Sequence, residues 1–216
     1  MTFLTLVRHG ATDAGRAHII QGCHLNGSLN ELGRIQAMLA ARRLARYRPL
    51  DIYASPLQRA QETAAIIAEE LETQYETLPE LRERDFGIYE GLSRQELIAL
   101  RQSRGLSLHD PTNQFPSGEA GVEAHEEVVE RWKQVTKQLS PGRLAHEIAL
   151  ITHAGFIRCA LYSAWGIDDG YPKAIRIREG SFVRAKLYPE NTLEMHELWP
   201  NPVTVEMISY PAGVHT

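Results

Sequence analysis

Short apolar runs alternate with helix-like segments along most of this 216-residue chain, and that alternation leaves few folds open. Thr2 to Val7 is apolar and rich in β-formers, and it reads as a buried strand. Leu32, Ile35, Leu39 and Leu44 then follow helical spacing, headed by the capping-box pattern Ser28-Leu29-Asn30-Glu31 and closed by Pro49. Asp51 to Ala54 is a second strand. Ser55-Pro56-Leu57-Gln58 repeats the capping pattern, with proline at the first helical position and a helix to about Leu71. Thr77 to Leu81 reads as a weak third strand. Ser93-Arg94-Gln95-Glu96 heads a short helix to about Ser103. Residues 105–121 are loop-like, with Gly105, Pro111, Pro116, Gly118 and Gly121. Val122, Val128, Val129, Trp132, Val135 and Leu139 predict another helix, with Trp132 in the core. Ile148 to Thr152 is a fourth strand, followed by a helix from Gly155 to Trp165. Phe182 to Tyr188 and Leu193 to Trp199 flank Pro189-Glu190-Asn191 as a hairpin.

Strands alternating with helices predict an α/β fold, a three-layer α/β/α sandwich on a mainly parallel sheet with an antiparallel edge hairpin. The expected organisation is a single domain over 1–216, with a small helical and loop insert at about 84–121 over the site. A net charge of −4 argues against nucleic acid as a partner. No apolar stretch is long enough to predict a membrane span, and the N-terminus has no signal-peptide pattern. Cys23 and Cys159 form neither a disulfide framework nor a zinc spacing, which points to the cytoplasm. Neither cysteine begins a C-x5-R loop, because Leu29 and Trp165 occupy the arginine positions. Dinucleotide, Walker and nucleophile-elbow motifs do not occur.

Open α/β sheets bind ligands outside the carboxyl ends of their strands. Arg8-His9 follows the first strand, Ser55 to Arg59 the second and His153 the fourth. Singly, His9 and His153 read as structural histidines, Arg59 as a solvated arginine and Glu83 as a surface acid. Gathered at one sheet edge, that many cations repel one another unless an anion joins them. Arginine forks match phosphate oxygens, helix N-termini near Ser55 and Ala154 add backbone donors, and Gly10 permits close backbone approach. The pattern therefore points to a phosphate site.

Arg8-His9-Gly10-Ala11-Thr12 resembles the R-H-G-E-T signature of the histidine phosphatase superfamily, also called phosphoglycerate mutase-like. Further segments match in order. They are Gln21-Gly22 with Ser28-Leu29-Asn30-Glu31-Leu32-Gly33, and Ser55-Pro56-Leu57-Gln58-Arg59-Ala60-Gln61-Glu62-Thr63-Ala64. Leu81-Arg82-Glu83 with Phe86-Gly87 and Glu90-Gly91 follows, then Phe115-Pro116-Ser117-Gly118-Glu119, then Thr152-His153-Ala154-Gly155 with Ile157-Arg158. The resemblance covers about residues 3 to 165. It implies that His9 is the nucleophile, with a neutral ring oriented by a backbone carbonyl. Arg8, Arg59 and His153 would hold the phosphoryl oxygens, and Glu83 would be the general acid and base. Gly10, Thr12, Gln21, Gly22 and Ala154 would line the phosphate cradle. No cofactor or metal is implied.

The chain departs from the pattern at Ala11, Gly15 and Ile19, and Thr12 is a candidate to replace the phosphate ligand expected near Gly15. The implied activity is hydrolysis of a small phosphomonoester, with the substrate unnamed and a homodimer compatible with the sequence. Phosphoglycerate mutation is the alternative, but the insert after Gly91 is brief. Binding of a phospho-ligand without catalysis is an alternative of another class, and metal-assisted hydrolysis through His9 and His153 lacks an accompanying ligand set. Tyr89, Arg94, Arg101 and Arg104 are candidates for leaving-group recognition, with solvated charge the ordinary account of the arginines. His24 is a candidate substrate contact. His18, His109, His125, His146, His196 and His215 fit no motif.

Overall fold

The computed structural model describes residues 2–49, 51–105, 121–139, 146–166, 177–188 and 192–199. The motif Phe115 to Glu119, the turn Pro189 to Asn191, His109, His215 and the tail from Asn201 lie outside these residues.

Six strands form one mixed sheet in the order β3-β2-β4-β1-β5-β6. They are β1 (Thr2–Arg8), β2 (Asp51–Ala54), β3 (Glu76–Thr77), β4 (His146–Thr152), β5 (Phe182–Leu187) and β6 (Leu193–Trp199). The pairs β3·β2, β2·β4 and β4·β1 are parallel, whereas β1·β5 and β5·β6 are antiparallel. The helices are α1 (Asp13–Arg16), α2 (Glu31–Leu44), α3 (Gln58–Glu70), α4 (Arg94–Ser103), α5 (His125–Leu139) and α6 (Ala154–Ala164). No helix among the described residues is long and apolar enough to cross a membrane.

The period of two along a strand sorts its side chains between two cores. Leu4, Leu6, Ile148 and Leu150 pack with Val128, Trp132 and Val135 of α5 and Phe156, Ile157 and Leu161 of α6. Val7, Ala149 and Ile151 face the opposite layer, against Ala41 and Leu44 of α2 and Ala60, Ala64 and Ile67 of α3. This is the three-layer sandwich, with Trp132 fully buried.

Local details depart from the sequence reading. In α2 the buried face is Gly33, Ala37, Ala40, Ala41 and Leu44, and the expected stripe of Leu32, Ile35 and Leu39 is exposed. Small side chains let α2 lie close to α3, so the helix buries its slim face. Gly33 is so close to the end of β1 that a Cβ there would sit 2.1 Å from Ala11 O, while one on Gly10 would sit 2.3 Å from Gly33 O. Asn30, not Ser28, caps α2, accepting from Gly33 N at 2.9 Å. Leu57, not Ser55, precedes α3, and its first N–H, on Gln58, is satisfied by Asn26 Oδ1 at 2.6 Å. Only Ser93 closes a full capping box with Glu96. β3 stops at Thr77 because Pro79, which lacks an N–H, opens a 3₁₀ turn to Leu81. Helix α5 starts at His125, since Val122 bridges Phe86 instead.

Residues after Glu83 form a small core of their own. Phe86, Tyr89, Leu97 and Val122 pack with Ile20, Leu92 and Leu100. Tyr89 is fully buried there, which removes it from leaving-group contact, and Arg101 is buried rather than solvated. Arg94 and Arg104 are exposed. This segment is tied to α5 by Glu123, which takes paired bonds from Arg82 (3.0 and 2.9 Å) and from Arg131 (2.9 Å each). Glu123 is only 8% exposed. Burial pushes its carboxyl upward, but the hydrogen bond and charge of Arg131, with the Asp85 N–H and Arg82, hold it below the usual carboxylate value. Replacing it by glutamine leaves two guanidinium groups without their counter-charge. The expected cost is about 3 kcal/mol of unfolding free energy, measured as a fall in the urea midpoint.

Candidate active site

The charged clusters do meet at the carboxyl ends of parallel strands. Arg8 ends β1 beside Thr152, the end of β4, and His9 N–H donates to Thr152 O at 3.0 Å. His153 follows directly and is the N-cap residue of α6. Arg59 lies in the first turn of α3, just after β2. His9 and His153 have ring centroids 5.0 Å apart.

Two contacts define the state of His9. Its Nδ1 lies 2.7 Å from Gly10 O, and a carbonyl can only accept, so Nδ1 carries the proton. Arg59 Nε, which can only donate, lies 3.3 Å from Nε2, so Nε2 presents its lone pair. Burial, then the positive charge of Arg8 and Arg59, hold the His9 pKa well below the ordinary imidazole value. The ring is neutral, with one nitrogen available as a nucleophile.

Arg59 is fully buried. Besides His9 it donates to Leu25 O at 2.8 Å and Gly22 O at 2.9 Å. The loop bearing those carbonyls is held by one carboxylate. Glu90 accepts from the N–H groups of Cys23, His24, Leu25 and Phe86, at 2.9 to 3.1 Å. Gly22 therefore orients Arg59 through its carbonyl. His24 is 72% exposed and bonded to Asp85.

Glu83 is 6% exposed and sits on the first turn of α6. Its Oε2 accepts from Gly155 N at 3.0 Å, and its Oε1 from Phe156 N at 3.1 Å and Arg84 N at 2.9 Å. The seat exists because residue 155 is glycine, since a Cβ there would lie 2.3 Å from Glu83 Oε1. Gly155→Ala should displace the carboxyl while keeping the fold. The expected result is a fall in kcat of about 10²-fold with KM little changed, measured by phosphate release.

Other expected site residues are present but engaged with the protein. Gly10 N donates to Thr63 Oγ1 at 3.1 Å, and the absence of its side chain serves Gly33 rather than an incoming oxygen. Thr12 caps α1, accepting from Gly15 N at 3.0 Å, and takes a bond from Gln21 Nε2 at 2.8 Å. A Cβ on Gly15 would come within 3.5 Å of Thr12, Gln21 and Glu179. That corner is therefore filled without a residue 15 side chain. Ala154 opens α6.

Two residues were not found by sequence reasoning. Glu179 accepts from Arg8 Nη2 at 2.9 Å, while Arg8 Nη1 donates to Ile177 O at 2.8 Å. Ser55 Oγ lies 2.7 Å from His153 Nε2. Ser55 stood in a quoted motif but was assigned to capping, and Glu179 had no motif. At the site, two of the buried nitrogens without a hydrogen-bond partner among the described residues are Arg8 Nε and His153 Nδ1. Ser55 Oγ already accepts from Leu57 N at 3.3 Å; with its O–H donating to Nε2, His153 carries its proton on Nδ1. A buried donor left unmet costs about 1–3 kcal/mol, which an oxyanion in the cup would recover.

His153, like His9, has its pKa held well below the imidazole value, by burial and then by Arg59, His9 and Arg8. Below about pH 6.5 the unfolded chain takes up protons that both native rings refuse. Stability is therefore complete above about pH 6.5 and is lost on acidification. The slope reaches about 1.4 kcal/mol per pH unit for each ring. Urea midpoints from pH 8 to 5 should fall in that window, and less so in His153→Ala.

The family model described as histidine phosphatase superfamily (branch 1) matches residues 4–197. Fructose-2,6-bisphosphatase TIGAR B of Danio rerio is 32% identical over 193 residues, which cover 85% of this chain and 73% of the relative. Metal-independent phosphoserine phosphatase of Arabidopsis thaliana is 31% identical over 164 residues, 75% of this chain and 68% of that protein. Among solved structures, mycobacterial glucosyl-3-phosphoglycerate phosphatase with inorganic phosphate superposes with TM-score 0.74 at 25% identity, covering 91% of this chain and 94% of that one. A match over nearly the whole sheet and its connections, on top of the cup at the strand ends, places the chain in the histidine phosphatase superfamily.

Proposed function

We propose that the chain is a phosphomonoester hydrolase acting on a small phosphorylated metabolite through a phosphohistidine at His9. The observation that carries this is the pair of unmet buried nitrogens, Arg8 Nε and His153 Nδ1, around a neutral imidazole whose Nε2 presents its lone pair. Catalysis of phosphoryl transfer rests on positioning and charge, which such a cup supplies.

In this reading Arg8, Arg59 and His153 hold the equatorial oxygens, with Ser55 setting the His153 ring. As the guanidinium of Arg59 turns its Nε–H from His9 to a phosphoryl oxygen, the Nε2 lone pair attacks phosphorus, and the bond to the leaving oxygen breaks as the P–N bond forms. Glu83 gives that oxygen a proton. Of the two carboxyl oxygens, Oε2 accepts only one N–H, so it keeps room for the shuttled proton. Water then yields a proton to Glu83 and attacks phosphorus. The P–N bond breaks, phosphate leaves and the neutral ring returns. Thr12, Gln21 and the Ala154 end of α6 line the cradle, whereas Gly10 and Gly22 set its walls.

One domain over 1–216, with the insert at about 84–121 roofing the site, is part of this proposal. So is a cytoplasmic location, supported by two unbridged cysteines, Cys23 and Cys159. A homodimer is the proposed assembly, tested by light scattering of the purified chain.

The test is phosphate release in the presence of chelator from a panel holding a sugar bisphosphate, phosphoserine and glucosyl-3-phosphoglycerate. Release with acid-labile label on His9 is expected. Silence across the panel, label on another side chain, or primed interconversion of 2- and 3-phosphoglycerate would overturn it.

A further inference from the structure

Cys23 Sγ, a ring nitrogen of His24 and carboxylate oxygens of Asp85 and Glu90 all lie within 4.8 Å of one another. Their states differ. Both Glu90 oxygens are filled by four backbone N–H groups, so Glu90 is the clamp that fixes the loop. Of the other three, His24 and Asp85 share a hydrogen bond and the Cys23 thiol lies beside them. His24 Nε2 lies 2.8 Å from Asp85 Oδ2, and Cys23 Sγ lies within 4.8 Å of both groups. Asp85 Oδ1 is anchored separately by Gly87 N at 2.7 Å, which leaves Oδ2 aimed at the pair.

We propose that Cys23, His24 and Asp85 form a binding site for a zinc-type divalent cation, apart from the phosphate cup. The cation takes the place of the proton between His24 and Asp85 and of the thiol proton of Cys23. Thiolate and carboxylate balance its two charges, the thiol proton passes to solvent, and the His24 ring keeps its one proton on the nitrogen that does not face the cation. Sulfur and imidazole nitrogen select zinc or cobalt over magnesium or calcium, which favour all-oxygen shells. Three protein ligands leave a fourth tetrahedral position for water.

The geometry needs only a small adjustment. Zinc bonds of about 2.0–2.3 Å place ligand atoms about 3.3–3.8 Å apart, so the widest separation allowed here, 4.8 Å, closes by about 1–1.5 Å. The His24 side chain, 72% exposed, is free to make that movement, while its backbone N–H stays on Glu90. The same exposure gives an entry path. The carboxylates of Asp85 and Glu90 beside the thiol are the negative charges that a cation would relieve. The loop concerned carries Gly22 O and Leu25 O, the carbonyls that hold Arg59.

The experiment is titration of the metal-stripped full chain with Co²⁺, without substrate. A thiolate-to-cobalt charge-transfer band saturating at one equivalent and displaced by Zn²⁺ is expected. Cys23→Ser should abolish the band, and His24→Asn should weaken Zn²⁺ binding at least about ten-fold. Cys159→Ala should keep the band. Absence of a band, or a band that survives Cys23→Ser, overturns the site. Should Cys23→Ser not fold, unchanged Zn²⁺ affinity in His24→Asn would overturn it too. Neither result touches the phosphatase reading, because both are read without turnover.

Discussion

His9→Ala is expected to lower kcat for phosphate release by about 10⁴-fold or more. The alanine removes the one imidazole whose Nδ1 proton is held by Gly10 O and whose Nε2 lone pair meets a buried guanidinium. Without it water must attack directly, and the difficult displacement is no longer split into two steps. Arg8, Arg59 and His153 remain, so affinity for inorganic phosphate should persist. The variant should also stay folded, since it removes a ring crowded by two cations rather than an ion-pair partner. Rapid quench with labelled substrate separates the outcomes. An active His9→Ala enzyme, or one still forming a phosphoenzyme, would end the proposed mechanism. Retained binding with lost turnover also separates an enzyme from a silent phospho-ligand module.

Arg59→Lys should lower kcat/KM by about 10²–10³-fold although the charge is kept. The guanidinium holds Gly22 O, Leu25 O and His9 Nε2 at once from a fully buried position. An ammonium is a point charge on a shorter arm and cannot reach three divergent acceptors. The two carbonyls then lose their donors, so the loss should appear in both kcat and KM, with a lower thermal midpoint. Steady-state kinetics beside a melting curve checks this. Wild-type kinetics in Arg59→Lys would show that charge alone matters there.

Legibility in the sequence followed the range of the interaction. Strand positions were readable because the middles of β1 and β4 are buried on both faces and so largely apolar, while short β2 alternates, with Ile52 and Ala54 buried and Asp51 and Tyr53 half-buried. The ends of strands carrying Arg8-His9 and His153, and the turn carrying Arg59, were readable for the same reason. Capping was readable only where it stayed local. Ser93 and Glu96 close their box within four residues. Ser55 fits the same pattern, yet its hydroxyl is taken by His153, far along the chain. The helix it was expected to cap is served by Asn26 from another loop. Ser28 lost to Asn30, which reaches Gly33 N from next to the helix. The slim face of α2 was missed because alanines carry little hydrophobic signal, while exposed Leu32, Ile35 and Leu39 carry much. Glu90, Glu123 and Glu179 were beyond local reading. Each acts on partners set by tertiary folding, so their neighbours in sequence say nothing of the loop, the arginine pair or the Arg8 fork they serve.

Replacing a glycine inside a helix by alanine commonly makes a protein more robust, by about 1 kcal/mol. At position 33 that route is closed, because the backbone touches the segment that carries His9, with no side chain between them to absorb a shift. Heat-hardened descendants of this chain selected for turnover should therefore change freely along the outer side of α2 while retaining Gly10 and Gly33 as a couple.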